Sequence, residues 1–355
     1  MIERERLRHI PPKYHQQHSF CVWLHDRILD ALRQAEAAGV ATVHFDLKSE
    51  EEKKAVTAAE NIIQYFIDNG REDVAKRIVI NQSVIPLYAD ALEFILEGLF
   101  MLEKRKFTVS FALLRKPLRQ SLFFLTWLFA DEDEFFARMK SDPALLDRNI
   151  EPEQKKALLA RAISEFEINE FLDADVIYGM VFDKKNPSGL AHYFDKALHL
   201  VTNEAAIKTE GLNLNFIFKK RSDDDLYDGI YFILAYVLLY LLLLEIETIG
   251  RMSDLPEFYL KWISIAIVGS FEAIFTEGST MIDHVNTAWA EIFRCVSCGT
   301  PLQVTRGNAF EYFATETLPC LKCETIQQFP LYWIMSKFRD GEPTGEPAET
   351  SVAEA

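Results

Sequence analysis

Four of the chain's five cysteines fall in one short stretch, "CVSCGTPLQVTRGNAFEYFATETLPCLKC", as Cys295, Cys298, Cys320 and Cys323. Each Cys-x-x-Cys pair lets a tight turn aim two thiolates at one point, and two such turns complete the four-sulfur shell that zinc accepts. A closed shell leaves no position for water or substrate, so the spacing predicts one structural Zn2+ and assigns it no catalysis. Gly299 directly follows the first pair, where the absence of a β-carbon permits the backbone turn that brings amides towards the sulfurs. Glu324 stands at the corresponding place after the second pair and departs from that pattern.

The segments "PLQVTR", "AFEYFAT" and "TIQQF" are β-prone and carry turn residues Gly307 and Asn308, which predicts short hairpins. With the cysteines they resemble a zinc ribbon over about 293–329. So small a β element has no adequate core, and metal ligation would supply its folding free energy.

The rest of the chain reads as helix. The segment from Ser49 to Asn69 has a capping box at Ser49 and Glu52 and a stop at Asn69-Gly70. Further helices are expected over Ser83–Glu103, Phe107–Ala130, Pro152–Leu172 and Ser188–Thr202, with Pro86 and Pro152 near the first helical position. The run "GIYFILAYVLLYLLLLEIE" carries no charge from Gly229 to Leu244, and Asp223, Asp224, Asp225, Glu245 and Glu247 flank it. It is short for a membrane span and lacks cationic flanks, so it is read as a central bundle helix, with "FYLKWISIAIVGSFEAIF" as a packed partner helix.

The expected fold is therefore mainly α: a large all-helical bundle domain (1–287, with an N-terminal arm over about 1–12), a small β zinc ribbon with a following short helix (288–335), and a disordered acidic tail (336–355). With 38 basic and 54 acidic residues the net charge is −16, which disfavours broad nucleic-acid coating. Nucleic acid would bind only through the local patch Lys104, Arg105, Lys106, Arg115, Lys116 and Arg119. An odd number of cysteines and an N-terminus without an apolar run point to the cytoplasm.

Three weaker constellations carry chemistry. His18, Cys21 and His25 share one side of a helix at metal-ligand spacing, although histidines beside a core stripe are commonly packed and hydrogen-bonded. His192, Asp195 and His199 share another face, expected to be polar and opposite Phe194, Ala197, Leu198 and Val201. Arg115 and Arg119 lie one turn apart beside a strongly apolar helix, as paired anchors or anion ligands.

The order of apolar helices, an arginine-bearing helix ("LLRKPLRQSLFFLTWLFADEDEFF") and a histidine-bearing helix ("HYFDKALHLVTN") over about 83–201 resembles bacterial all-helical proteins of the abortive-infection type. Some of these belong to the HEPN class, whose ribonuclease members use an Arg and a His four to six residues apart on one helix. Here that spacing occurs at Arg4 and His9, before Pro11 and Pro12. The resemblance implies a role in phage defence as sensor, adaptor or RNA-directed effector, with Arg115, Arg119, His192 and His199 as catalytic candidates if RNA is cleaved. The alternatives are a non-enzymatic scaffold in which those arginines pair with acids such as Asp131 or Glu134 and the ribbon docks a protein partner, and a membrane-associated protein using Gly229–Leu244.

Overall fold

The computed structural model describes residues 2–146, 150–203, 208–217, 224–253 and 257–336; Asp223 and the acidic tail expected to be disordered lie outside them. Among the described residues the chain is mainly α-helical, with one small two-stranded sheet near the C-terminus. It divides into two compact units, 1–255 and 256–355. The sequence-based boundary near Thr287 falls inside the second unit, because two helices before it pack with the ribbon.

The first unit contains α1 (His15–Ala37), α2 (Glu50–Ala58), α3 (Ile62–Asp68), α4 (Glu72–Glu103), α5 (Phe107–Lys116), α6 (Leu122–Ala130), α7 (Glu132–Ser141), α8 (Pro152–Ser164), α9 (Ala174–Val181), α10 (Leu190–Leu198) and α11 (Asp225–Met252). Helix α11 is the centre of the bundle and packs on α1, α6 and α9. Every residue from Ile233 to Ile246 is buried, as expected for a helix that is apolar all round. By length and composition α11 could cross a membrane, yet 89% of its apolar window is buried inside the protein. Around it, α4 packs on α1, α3 and α5, while α10 packs on α5 and α9. The N-terminal arm joins this bundle through short 3-10 turns at Arg6–His9 and Pro12–Tyr14, with Leu7 and Ile10 buried.

Several sequence-based boundaries shift for identifiable reasons. The helix expected over Ser49–Asn69 is two: the Ser49 cap stands, but Asn61 accepts from the amides of Ile63 (3.0 Å) and Gln64 (3.1 Å) and starts α3 anew. Pro86 lies inside α4 rather than at its start. The turns before it bury Val74, Ala75, Ile78 and Val84, and this packing outweighs the one amide that proline removes. Between Phe107 and Ala130 the helix is continuous but widens into a π turn at Pro117–Ser121, where proline again lacks the amide. Helix α8 stops at Ser164 and α10 at Leu198, short of the expected ends.

The second unit contains α12 (Glu257–Phe275), α13 (Thr280–Ala288), α14 (Ala309–Thr315), β1 (Thr317–Pro319), β2 (Ile326–Gln328) and α15 (Leu331–Ser336). Strands β1 and β2 are antiparallel, with Leu318 opposite Gln327. "AFEYFAT", expected to be extended, is helix α14. Ala309, Phe310, Tyr312 and Phe313 are buried at helical spacing, and packing against α12 overrides the β-propensity of the aromatics. Gly269 of α12 permits that approach, since a β-carbon there would stand 2.5 Å from the Phe313 ring. "PLQVTR" forms no strand; its pairing is a single bridge between Arg294 and Pro301.

Candidate metal centre

The two Cys-x-x-Cys turns are near copies of each other. The Gly299 amide donates to the Cys295 carbonyl at 2.8 Å, and the Glu324 amide donates to the Cys320 carbonyl at 2.8 Å. The Cys295 and Cys320 amides donate to the carbonyls of Thr300 and Thr325, each at 2.9 Å. Gly299 and Glu324 both adopt left-handed backbone, with φ of +67° and +58°. The turn therefore forms with glutamate too, at a conformational cost that Gly299 avoids.

These turns bring the four sulfurs within 4.8 Å of one another. Cys295 Sγ lies 3.5 Å from Cys323 Sγ and Cys298 Sγ lies 3.6 Å from Cys320 Sγ, far beyond a disulfide bond. Zinc–sulfur bonds of ~2.3 Å in a tetrahedron put sulfurs ~3.8 Å apart, so the cluster fits a Zn2+ held by all four thiolates. No other group of metal-ligating side chains comes together among the described residues.

A second feature of each turn is a threonine two residues after the second cysteine, in "CVSCGT" and "CLKCET". The Thr300 hydroxyl is 3.1 Å from Cys298 Sγ, and the Thr325 hydroxyl is 3.1 Å from Cys323 Sγ and 3.5 Å from Cys295 Sγ. A hydroxyl that donates to sulfur favours the thiolate. Thr325 thus draws the Cys295 thiol down to about 6, and Thr300 lowers Cys298. For Cys320 the backbone amides of Cys323 and Lys322 act downwards, but burial and the neighbouring thiols outweigh them and the net direction is up. The repeated threonine is legible as a motif, but attention to cysteines and glycine alone passes over it.

The weaker constellations resolve differently. His18 is fully buried with both ring nitrogens occupied: Nε2 lies 3.1 Å from Glu103 Oε1, and Nδ1 accepts from the Tyr231 hydroxyl at 3.1 Å. Arg6 completes the set by bonding both Glu103 oxygens. Burial lowers the His18 pKa, so the imidazole is neutral at pH 7, and it holds α1, α4 and α11 together instead of binding metal. Cys21 is a buried thiol pushed up by desolvation, and His25 contacts Asp26 at 3.0 Å.

Arg115 and Arg119 reach neither Asp131 nor Glu134, which hold Arg161 and Arg138. Both point at Asp195 of α10, at 3.9 Å and 3.3 Å from Oδ1. Lys184 lies 3.3 Å from Oδ2. Asp195 is consequently buried, which corrects the expected solvated face, while Leu198 and Val201, expected on the apolar side, are exposed. His192 sits one turn before Asp195, half-buried, and desolvation lowers its pKa. His199 follows the helix end, is exposed, and offers its carbonyl to Asn215. The remaining basic patch is partly neutralised, with Arg105 on Asp224 and Lys116 on Asp90, each at 2.7 Å, while Lys104 and Lys106 are exposed at the end of α4.

No protein family, curated protein or solved structure matches this chain. The abortive-infection and HEPN resemblance is therefore without support from any relative.

Proposed function

We propose that this chain is a non-enzymatic helical scaffold whose zinc ribbon docks a protein partner. The carrying observation is what the two metal-binding turns present outwards. Val296 and Leu321, each directly after the first cysteine of its pair, are 88% and 95% exposed, and Ile326 on β2 is 72% exposed. Large apolar side chains held on a rigid metal-bound turn lose little conformational freedom on binding, which suits them as anchors for another protein. The near-balanced charge of the ribbon, with Arg294, Arg306 and Lys322 against Glu291, Glu311, Glu316 and Glu324, favours protein over nucleic acid. Four thiols arranged for a metal rather than for disulfides support a reducing compartment such as the cytoplasm. A setting in phage defence rests on the helical resemblance alone. The ribonuclease reading is disfavoured because Asp195 holds both arginines and His199 lies away on the surface.

The test is a photo-crosslinking residue in place of Leu321, compared with one at exposed Lys53, in cells that naturally make the protein. The expected result is a discrete adduct specific to position 321 that disappears with Val296→Asp. Identical adducts at both positions, or none at 321, would contradict the docking role.

A further inference from the structure

Asp195 draws three cations towards one carboxylate, and none of them makes a close bond to it. Arg119 Nη1 stands 3.3 Å from Oδ1, Arg115 Nε 3.9 Å from the same oxygen, and Lys184 Nζ 3.3 Å from Oδ2. Several simple pairs elsewhere in the molecule are tighter: Arg161–Asp131 and Lys156–Asp175 are at 2.8 Å, and Arg27–Asp30 and Lys116–Asp90 at 2.7 Å. Charge-assisted bonds of N–H to carboxylate close to about 2.7–2.9 Å when one donor meets one acceptor. The cluster is thus not a set of optimised ion pairs. Arg115 Nε is a buried donor with no acceptor, and Asp195 Oδ2 accepts no hydrogen bond.

Two guanidinium groups around one carboxylate leave a net positive charge, which attracts further negative charge. The arrangement is fixed by the fold. Arg115 lies in the last turn of α5, Arg119 sits in the π turn that begins at Pro117, and Asp195 is on α10 beside the buried residues Ala191 and Phe194. Both arginine side chains keep part of their surface open to solvent, so an anion can reach them. Half-buried His192 lies one turn before Asp195 on α10.

We infer that Arg115, Arg119 and Lys184, spaced by Asp195, form a binding site for a phosphoryl group. A phosphoryl group offers three terminal oxygens, enough to engage two guanidinium forks and an ammonium together, which a carboxylate with two oxygens cannot do. Asp195 holds the cations in place in the absence of the anion. The site lies in the helical unit and is independent of the ribbon's docking role.

Calorimetric titration of the full-length protein at low ionic strength, with inorganic phosphate and separately with adenosine 5′-monophosphate, tests this. One saturable site per chain is expected, weakened about tenfold or more by Arg119→Gln and by Lys184→Gln. Asp195→Asn, which removes the competing negative charge, is expected to tighten binding. Preference for the nucleotide would assign the site to phosphate esters, and equal affinity would assign it to free phosphate. Circular dichroism verifies folding of each variant. Absence of saturable binding, or equal affinity in the folded Lys184→Gln variant, would overturn the inference.

Discussion

The matched backbone of the two Cys-x-x-Cys turns makes Gly299 and Glu324 a controlled comparison within one molecule. Both residues occupy left-handed backbone, and only one of them is glycine. Glu324→Gly is expected to stabilise the ribbon by about 1 kcal/mol, because an L-residue with a β-carbon is strained there by roughly 1–2 kcal/mol. Gly299→Val should do the opposite and accelerate metal loss. The rate of zinc transfer to a chelator reads both. The glycine was legible in the sequence because its role is local. Asp195 was not: its helix looks amphipathic with the acid on the polar side, and the groups that bury it arrive from 76 and 80 residues earlier in the chain.

Among the elements, α11 carries the least expected residue. Glu245 is fully buried, and both carboxylate oxygens lack a hydrogen-bond partner. Burial pushes its carboxyl well above the usual range. A raised carboxyl favours the fold below its unfolded value, near 4.5, and costs stability as pH rises above it. Glu245→Met is therefore expected to raise the melting temperature at neutral pH, with the gain shrinking as pH falls towards about 4.5. A gain that does not change with pH, or a loss, would show that Glu245 is partnered. In the second unit Gly269→Val should cost about 1–3 kcal/mol by driving a side chain into the Phe313 ring, measured as a fall in denaturant midpoint. Periodicity revealed most helices because their apolar stripes are local in sequence. It failed at "AFEYFAT", where aromatic β-propensity and helical burial compete and the neighbouring helix decides.

At the scale of the whole molecule, the chain combines a helical unit with one that carries the four-cysteine cluster, and the division at residues 255 and 256 was hidden because α12 is as apolar as the bundle helices that precede it. The clustering of the four cysteines was legible in the sequence, since two Cys-x-x-Cys pairs would supply the ligand number and type of a closed shell. One structural zinc held by these four thiolates is the expectation for the second unit. It is tested most directly by elemental analysis of the purified full-length protein, with thiol titration before and after chelation. One zinc per chain is expected, with the four thiols reactive only after chelation, and with zinc lost in Cys320→Ser while the helical signal of the first unit persists. A chain that carries no zinc, with Cys295, Cys298, Cys320 and Cys323 freely reactive or oxidised to disulfides, would contradict it.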